Sequence, residues 1–461
     1  MKRPANRTLA AWLLAVGLTA CAAPPPIDGR LAPPAAEVRV DGANGPLSAE
    51  RSKAILERLK ASGQDTGIFA RHLALEQALV DTPLVAGNKV ELLKNGPATY
   101  DAMFAAIAQA RDHINMESYI VEDGEVGRRF ADALIERQRD GVQVNLIYDS
   151  VGSLGTPRAF FQRLEASGMK LVQYNPVNPL LARVGWDVNQ RDHRKLLVVD
   201  GRVAFLGGIN ISDAYSGSSG SGAAESSSKA RSLPWRDTDL RIEGPVVADF
   251  QKLFLETWAA QKGPALPARH YFPRLEPAGR SVVRAIAGSP DEPVSQVYAT
   301  LISAIDSAET EVLLTNAYFA PDAQLLASLK AAVARGVTVK LLLPSTTDSS
   351  LVFWAGRSYY AELLEAGVQL YELHGALLHS KTALVDGVWS TVGSTNLDWR
   401  SFVHNQEINA VVLGADFGRQ MRAMFDADLG DSARVTLAQW QHRPLGMRLK
   451  EWFGRLWRYW L

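Results

Sequence analysis

Hydrophobic positions along most of the chain alternate between helical spacing and short aliphatic runs. From Val85 onward, amphipathic stretches are followed by runs such as VNLIY and VKLLLP. This alternation is typical of parallel sheets whose faces are covered by helices. An earlier stretch, residues 47–80, shows helical spacing only, so it predicts a small N-terminal helical segment without strands.

The same order of elements occurs twice. Residues 102–150 and residues 298–345 each predict helix, strand, helix and strand, and each continues into a helix that is closed by a glycine, Gly168 or Gly367. Glycine ends a helix at low cost because it adopts the left-handed conformation freely. Residues 262–280 between the copies are rich in proline and are typical of a linker. The repeat therefore predicts two similar α/β halves.

Each half carries the same polar motif. A histidine is followed two positions later by a lysine, and the lysine is followed five positions later by an aspartate. The copies consist of the following residues: His193, Lys195 and Asp200 in the first half, and His379, Lys381 and Asp386 in the second. Asn210 and Asn396 follow them, each shortly after a Gly-Gly or Gly-Ser pair. One such match is expected by chance about once in fifty chains of this length, so two matches at corresponding places in a repeat indicate function.

The signature suits the cleavage of a phosphodiester. A histidine and a lysine two positions apart on a strand project to the same face, so one phosphate group can contact both. Neutral imidazole is a nucleophile, a second imidazole can protonate the leaving alcohol, and lysines neutralise the phosphate oxygens. Two copies that face each other across a pseudo-two-fold axis would surround one phosphorus, and this chemistry needs no metal ion or other cofactor.

The paired motifs resemble those of the phospholipase D superfamily, and the resemblance covers about residues 85–430. The stretches WRDTDLRIEGPVV and GSTNLDWRSFVHNQEINAVV, which follow the two motifs, are similar to those of bacterial cardiolipin synthases. The resemblance implies an α/β fold of two phospholipase D-like sandwich domains, each a mixed, mostly parallel sheet flanked by helices. It also implies transfer of a phosphatidyl group between phospholipids through a phosphohistidine intermediate.

The resemblance assigns His193 as the nucleophile and His379 as the general acid and then base, although the nearly symmetric sequence leaves their order open. The phosphate oxygens are expected to bind the following side chains: Lys195, Lys381, Asn210 and Asn396, with Ser394 as a further donor. Asp200 and Asp386 complete the catalytic motifs. Because both end buried strands, we expect them to hold loops and not to touch the substrate.

Each imidazole needs a carboxylate that fixes its tautomer and stabilises the imidazolium. Asp237 and Glu407 occupy corresponding places after the two motifs, so we expect them to orient the histidines. The whole chain is then divided as follows: a lipoprotein signal peptide (1–21), a spacer and N-terminal helical segment (22–84), a first motif-bearing domain (85–265), a linker (266–280), a second motif-bearing domain (281–430) and a C-terminal amphipathic helix (431–461).

Both ends of the chain indicate a membrane. A basic start and an apolar run lead to Leu-Thr-Ala-Cys, which ends at Cys21 and resembles a bacterial lipobox. It implies lipidation of Cys21 and anchoring on the exported, periplasmic side of a bacterial membrane. At the other end, Trp452, Trp457 and Trp460 recur at helical spacing opposite arginines, which predicts a helix in the headgroup region. Docking on the protein's own core is the alternative.

Charge and composition limit the partners. Lysine plus arginine and aspartate plus glutamate both number 49, so the chain has no net positive charge with which to bind nucleic acid. The expected partners are the membrane surface and phospholipids, namely phosphatidylglycerol with phosphatidylethanolamine as a second candidate. The main alternative to a phosphatidyltransferase is a phospholipase D that produces phosphatidic acid, and a secreted phosphodiesterase or nuclease is less favoured.

Overall fold

The computed structural model describes residues 38–457, except for 64–65, 179–186, 188, 218–232 and 293. The predicted signal peptide, the spacer, Cys21 and Trp460 lie outside the described residues. Within the described ranges, no helix combines the length and the apolar character needed to cross a bilayer.

The N-terminal segment is helical, as predicted, apart from a short hairpin at its start. Its elements are β1 (Val40–Gly42), β2 (Gly45–Pro46), α1 (Ala49–Ser62), a π-helical turn (Ile68–His72) and α2 (Leu73–Leu79). Leu59, Ile68 and Leu73 are buried in the core of the second half, although the first half follows them directly in sequence. The segment therefore links the beginning of the chain to the second half.

The first half contains the elements that the repeat predicts. They are β3 (Leu84–Lys94), α3 (Asn95–Gln109), β4 (His113–Ser118), α4 (Glu125–Arg139), β5 (Gln143–Asp149), α5 (Arg158–Ala166), β6 (Lys170–Tyr174), β7 (Arg191–Asp192), β8 (Lys195–Val199), β9 (Val203–Gly207), β10 (Trp235–Arg236), β11 (Thr238–Glu243) and α6 (Val247–Ala260). Helix α4 illustrates the helical hydrophobic pattern. Its residues Val126, Phe130 and Leu134 recur every four positions, so they lie on one face of the helix, and all three are buried.

The second half repeats this order and continues into a C-terminal extension. Its elements are β12 (Ser281–Gly288), α7 (Gln296–Ser307), β13 (Glu311–Asn316), α8 (Ala323–Ala334), β14 (Thr338–Pro344), α9 (Ser350–Arg357), α10 (Tyr360–Glu365), β15 (Gln369–Leu373), β16 (Leu377–Leu378), β17 (Lys381–Val385), β18 (Trp389–Gly393), α11 (Trp399–Val403), β19 (Asn405–Leu413), α12 (Ala415–Gly430), β20 (Ser432–Val435), α13 (Leu437–Gln441) and α14 (Leu445–Leu456). Gly168 and Gly367 end α5 and α10 with φ of 96° and 94°, as predicted.

The strands of the two halves have matching orders. The first half runs β6-β5-β4-β8-β9-β11-β3, and the second runs β15-β14-β13-β17-β18-β19-β12. Strands β3 and β12 pair antiparallel, with a register shift at Ser281, and join the two sheets. The matching orders on either side of this pair agree with the predicted pseudo-two-fold relationship.

The prediction of mostly parallel sheets is wrong. Within each half, only the three strands β4, β5 and β6, or β13, β14 and β15, run parallel to one another. The ladders between the other main strands of each half are antiparallel. The strand that begins with each motif lysine, for example, pairs through a tight hairpin with β9 or β18. Parallel neighbours need a long crossover connection, whereas only three residues join β8 to β9 and β17 to β18.

The two halves share one of three apolar cores. This central core joins side chains of strands from both halves, such as Leu206 and Leu384, with Phe250 of α6 and Phe417 of α12. A separate core lies under the outer helices of each half. Since separating the halves would expose the central core to water, their relative position is fixed by packing.

One edge of each sheet carries the motif. The register pairs Ser118 at the end of β4 with Lys195, and Asn316 at the end of β13 with Lys381. The loops that follow β4 to β6 and β13 to β15 therefore border the motif residues. We call this edge of the two sheets the site edge.

Candidate active site

Two short parallel strand pairs cross between the halves and position the motif histidines. Strand β7 pairs with the start of β19, and the His193 amide donates to the Gln406 carbonyl at 2.9 Å. Strand β10 pairs in the same way with β16, and the His379 amide donates to the Arg236 carbonyl at 2.8 Å. Each motif thus lies beside a segment of the opposite half.

The crossing strand pairs bring each orienting carboxylate to the histidine of the opposite half. The imidazole Nδ1 of His193 lies 3.1 Å from both carboxylate oxygens of Glu407, and Nδ1 of His379 lies 2.7 Å from Oδ2 of Asp237. These contacts assign the proton to Nδ1 and leave the lone pair on Nε2. Asp237 and Glu407 therefore contact the histidines as the sequence predicted, but each serves the histidine of the other half.

Both motif lysines are buried beside their histidines. The Lys195 ammonium donates to the His193 carbonyl at 2.5 Å, and the Lys381 ammonium lies 2.9 Å from Nδ1 of His379. Burial lowers the pKa of Lys195 to about 7 and that of Lys381 to about 8. Lys381 contributes to the low pKa of Lys195, and Glu407 opposes the shift in both lysines. The charges of the two halves therefore act on one site.

Burial also keeps the histidines neutral. It lowers the pKa of His193 to about 4, against the opposing charge of Glu407, and it lowers the pKa of His379 together with the positive charge of Lys381. Burial opposes the ionisation of Asp237 and Glu407, yet the neighbouring histidines and lysines lower the pKa of both carboxyls. Near neutral pH the site thus holds ionised carboxylates and unprotonated imidazoles, as nucleophilic catalysis requires.

A tyrosine flanks each histidine, and the sequence reasoning did not identify it. The ring centroid of Tyr119 lies 5.1 Å from that of His193, with the Lys195 ammonium 5.3 Å from the same tyrosine ring. Tyr318 takes the corresponding place 6.0 Å from His379. The signal was present in the repeat, where both MESYI and TNAYF carry a tyrosine after the end of the predicted strand.

Among the residues that the structure describes, more aromatic rings lie near His379 than near His193. Trp235 and Tyr215 lie 5.1 and 5.7 Å from the His379 ring. Asn210 holds Tyr215, because its amide nitrogen donates to the Tyr215 hydroxyl at 2.9 Å while its oxygen accepts from the Ile120 amide at 3.0 Å. Asn210 therefore positions Tyr215, and its predicted phosphate contact stays a prediction.

The Gly-Gly and Gly-Ser pairs lie against the two orienting carboxylates and help to fix their positions. Ser394 donates to Oε2 of Glu407 at 2.5 Å and accepts from the Ile408 amide at 2.9 Å, so it orients Glu407, whereas the sequence suggested a phosphate donor. At the corresponding place in the first half, a Cβ on Gly208 would lie 2.2 Å from Oδ1 of Asp237. The oxygen of the Asn396 amide is buried without a hydrogen bond, and its predicted phosphate contact stays a prediction.

The aspartates of the motifs lie at the opposite ends of their strands. At about 3.3 Å per residue, Asp200 stands about 16 Å from Lys195. Its carboxylate accepts from the amides of residues 111–113 at 2.8 to 3.2 Å, and Asp386 does the same for residues 309–311. Both have positive φ, 52° and 50°, and each precedes a glycine in a hairpin turn. They hold loops, as expected, and a catalytic contact for them is excluded by distance.

Buried arginines support the crossing strands behind the histidines. Arg194 donates to the carbonyl of Glu407 at 3.0 Å and to the Gln406 side chain at 2.7 Å. In the other crossing, Arg236 pairs with the buried carboxylate of Asp428 at 2.7 Å. Removing one partner of the Arg236–Asp428 pair would leave an unpaired buried charge, at a cost of about 3–5 kcal/mol.

Two histidines and two lysines, brought together by repeated α/β halves with exchanged carboxylates, define a phospholipase D-like enzyme. The family model for "Cardiolipin synthase, PLD-like domain" matches residues 103–219 and 301–429. The chain belongs to the cardiolipin synthase family, and it is a phosphatidyltransferase of the phospholipase D superfamily.

Individual relatives agree with this assignment. A cardiolipin synthase of Geobacillus kaustophilus is 36% identical over 390 residues, which cover 83% of this chain and 74% of the relative. Cardiolipin synthase A of Pseudomonas putida is 36% identical over 377 residues, which cover 80% and 74%. Among solved structures, a phosphatidylserine synthase of Haemophilus influenzae shares the fold with a TM-score of 0.60 at 14% identity, covering 84% of this chain and 97% of that protein.

The exchanged carboxylate predicts a specific change in pH dependence. Glu407 opposes the lowering of the Lys195 pKa by burial, so Glu407→Gln should lower this pKa further. Lys195 would then lose its charge at lower pH, and the alkaline limb of kcat/KM for bis(p-nitrophenyl) phosphate should move to lower pH. The control is Glu256→Gln, which removes an exposed surface carboxylate. An unmoved limb in Glu407→Gln would contradict an electrostatic role for Glu407.

Proposed function

We propose that this protein transfers a phosphatidyl group from one phospholipid to the headgroup of another through a phosphohistidine on His193. The observation that carries this proposal is the pair of buried imidazoles, each held through Nδ1 by a carboxylate of the opposite half. Two separate imidazoles provide a nucleophile and an acid in one site. The buried ammonium groups beside them suit the phosphate oxygens.

The reaction divides into two displacements. In the first, Nε2 of His193 attacks phosphorus, the bond to the headgroup alcohol breaks, and protonated His379 gives its proton to the leaving oxygen. In the second, His379 takes the proton of an acceptor hydroxyl, which attacks phosphorus and releases His193. Burial and Lys381 lower the pKa of His379, so the negative charge of the bound phosphodiester supplies the interaction that stabilises its protonated form.

The favoured acceptor is the glycerol headgroup of phosphatidylglycerol. Relatives at 36% identity are cardiolipin synthases, and joining a phosphatidyl group to phosphatidylglycerol produces cardiolipin. Phosphatidylglycerol itself or phosphatidylethanolamine would be the donor. Water as acceptor would instead yield phosphatidic acid, with the same catalytic residues. Which acceptor dominates depends on which one is held in line with the phosphorus.

Helix α14 has the features of a membrane contact. One face docks on the protein, where a Cβ on Gly454 would lie 2.6 Å from the Ala355 nitrogen, and Glu451 pairs with Arg443 at 2.7 Å. The other face exposes apolar side chains, among them Leu449 and Trp452, which are 67% and 63% exposed. The helix therefore docks on the protein through small and charged groups, and its exposed apolar face is free to contact a bilayer as well.

Further exposed apolar side chains follow strands that end at the site edge. Helix α9, on which α14 packs, follows β14 at this edge. In the first half, Val151, Leu154 and Val177 follow β5 and β6 at the same edge and are 39%, 72% and 40% exposed. Each apolar side chain of this size gains about 1.5–3 kcal/mol when it is fully removed from water. Insertion of this edge into a bilayer would bring lipid headgroups to the histidines.

Lipidation at Cys21 would add a second attachment to the same membrane. The lipobox-like ending at Cys21 places the anchor on the exported, periplasmic side, and this localisation is a proposal that rests on the sequence alone. The proline-rich segment after Cys21 would act as a spacer. Processing and acylation are checked by mass spectrometry of the mature N-terminus.

The order of the histidines can be tested with a substrate whose leaving group needs no proton. With bis(p-nitrophenyl) phosphate, His379→Ala should release about one equivalent of nitrophenol and retain the nitrophenylphosphoryl group on His193, because only the first step can proceed. His193→Ala should release none. His442→Ala, which removes an exposed histidine, is the matched control and should turn over normally. A burst in His193→Ala alone would reverse the roles.

Product analysis tests transfer against hydrolysis. In vesicles that contain phosphatidylglycerol, with or without phosphatidylethanolamine, the purified protein should form cardiolipin in excess of phosphatidic acid. The reason is the high effective concentration of headgroups at a bilayer-bound site. Lipid mass spectrometry measures both products. If phosphatidic acid is the main product at every lipid composition, the protein is a hydrolase.

Substitutions on the exposed face of α14 test the membrane contact. The double variant Leu449→Glu with Trp452→Glu should lower activity on vesicles by about tenfold or more, because two charges replace apolar groups at the bilayer. Its activity on bis(p-nitrophenyl) phosphate should stay within about twofold of the wild type. Phe272→Glu is the matched control, since Phe272 is 57% exposed and its neighbour Tyr271 packs on His113 at the opposite edge. Equal vesicle activity in both variants would refute the contact.

A further inference from the structure

An exposed carboxylate stands beside the second histidine without a part in the steps above. Asp348 lies in the loop between β14 and α9, at the site edge. Its two carboxylate oxygens accept from the Tyr318 hydroxyl at 2.6 and 2.8 Å. Tyr318 is the aromatic neighbour of His379, so it ties the carboxylate to the rim of the site.

The corresponding loop of the first half offers no such group. It follows β5 as residues 150–157, with the sequence SVGSLGTP, and it contains no acidic residue. Asp149, the last residue of β5, is fully buried and accepts from the amides of Val151 and Gly152 at 2.8 and 3.0 Å. An exposed carboxylate in this loop is therefore specific to the His379 side of the site.

The proposed reaction places the headgroup on this side. His379 protonates the leaving oxygen and later deprotonates the acceptor hydroxyl, so the leaving headgroup and the entering one occupy the same place in turn. Next to His379 are the half-buried ring of Trp235 at 5.1 Å, the ring of Tyr318 and, beyond its hydroxyl, Asp348. Aromatic rings can cover the carbon atoms of a small headgroup, and a carboxylate accepts hydrogen bonds from its polar end.

We propose that Asp348, positioned by Tyr318, is the residue that binds the headgroup of the reacting phospholipid and selects headgroups that donate hydrogen bonds. A glycerol hydroxyl and the ammonium of ethanolamine both meet this requirement, whereas the trimethylammonium of choline has no hydrogen to donate. The proposal rests on the function proposed above and specifies the class of headgroup that its site accepts.

The test measures headgroup release, which occurs whether the phosphatidyl group passes to a lipid or to water. Release of labelled glycerol from phosphatidylglycerol vesicles is divided by the rate on bis(p-nitrophenyl) phosphate, which has no such headgroup. In Asp348→Ala this ratio should fall by about tenfold or more, since a hydrogen bond to a charged group is lost. The same ratio for phosphatidylcholine should change much less. The phosphatidylcholine ratio controls for any general effect of the Asp348 charge on His379 and Lys381, because choline also leaves as an alcohol that His379 must protonate.

Asp348→Asn identifies which headgroup the site prefers, because the amide keeps an accepting oxygen but loses the charge. A selective fall for labelled ethanolamine release would support ammonium recognition, and retention of glycerol release would support recognition of a hydroxyl. Tyr318→Phe keeps the ring but loses the hydroxyl that fixes Asp348, so it should lower the phosphatidylglycerol ratio in the same direction as Asp348→Ala.

Asp123→Ala is the matched control. Asp123 is a partly exposed carboxylate in the loop after β4, paired with Arg128 at 2.7 Å, and it lies at the site edge of the other half. Its ratios should equal those of the wild type. Unchanged ratios in Asp348→Ala, or an equal fall for phosphatidylcholine, would overturn the headgroup proposal while leaving the transferase proposal intact. A wild-type protein that releases no headgroup from any lipid would overturn both.

Discussion

The exchange of carboxylates between the two halves is the contact on which the rest of the site depends. His193 is oriented by Glu407, and His379 is oriented by Asp237, so neither half alone holds a complete histidine–carboxylate pair. The short parallel strand pairs that make the exchange possible are themselves formed only across the halves. The shared core and the joined sheets therefore matter for catalysis, because they hold the two histidine–carboxylate pairs at a fixed distance from each other.

Burial gives these groups their chemical character. Two lysines and two histidines are enclosed together, and removal from water disfavours their charged forms. Asp237 and Glu407 keep the cluster close to neutral, with low pKa values of their own. The negative charge of a bound phosphodiester would favour the protonated form of His379.

The halves are similar in backbone and different in side chains, and the differences suggest a division of labour. Around His379 stand Trp235, Tyr215 and Tyr318, which suit a place where alcohols leave and enter. Around His193, Ser394 adds a hydrogen bond to the orienting carboxylate, which suits a nucleophile that must keep one tautomer. Exposed apolar side chains follow β5 and β6 in the first half, and others line one face of α14 in the second.

Much of this protein could be predicted from local pattern, and the remainder depends on contacts between distant segments. The repeat, the helices closed by Gly168 and Gly367, and the paired histidines and lysines follow from spacing, because short-range geometry alone places such residues on one face. The sheet direction was predicted wrongly, although the Asp-Gly pairs after β8 and β17 carried the hairpin signal. No local signal shows that Glu407 serves His193, that Asn210 supports Tyr215, or that the N-terminal helices pack on the second half. These partners lie more than a hundred residues apart or are fixed by neighbours from other strands, so packing and the crossing of the two halves decide them.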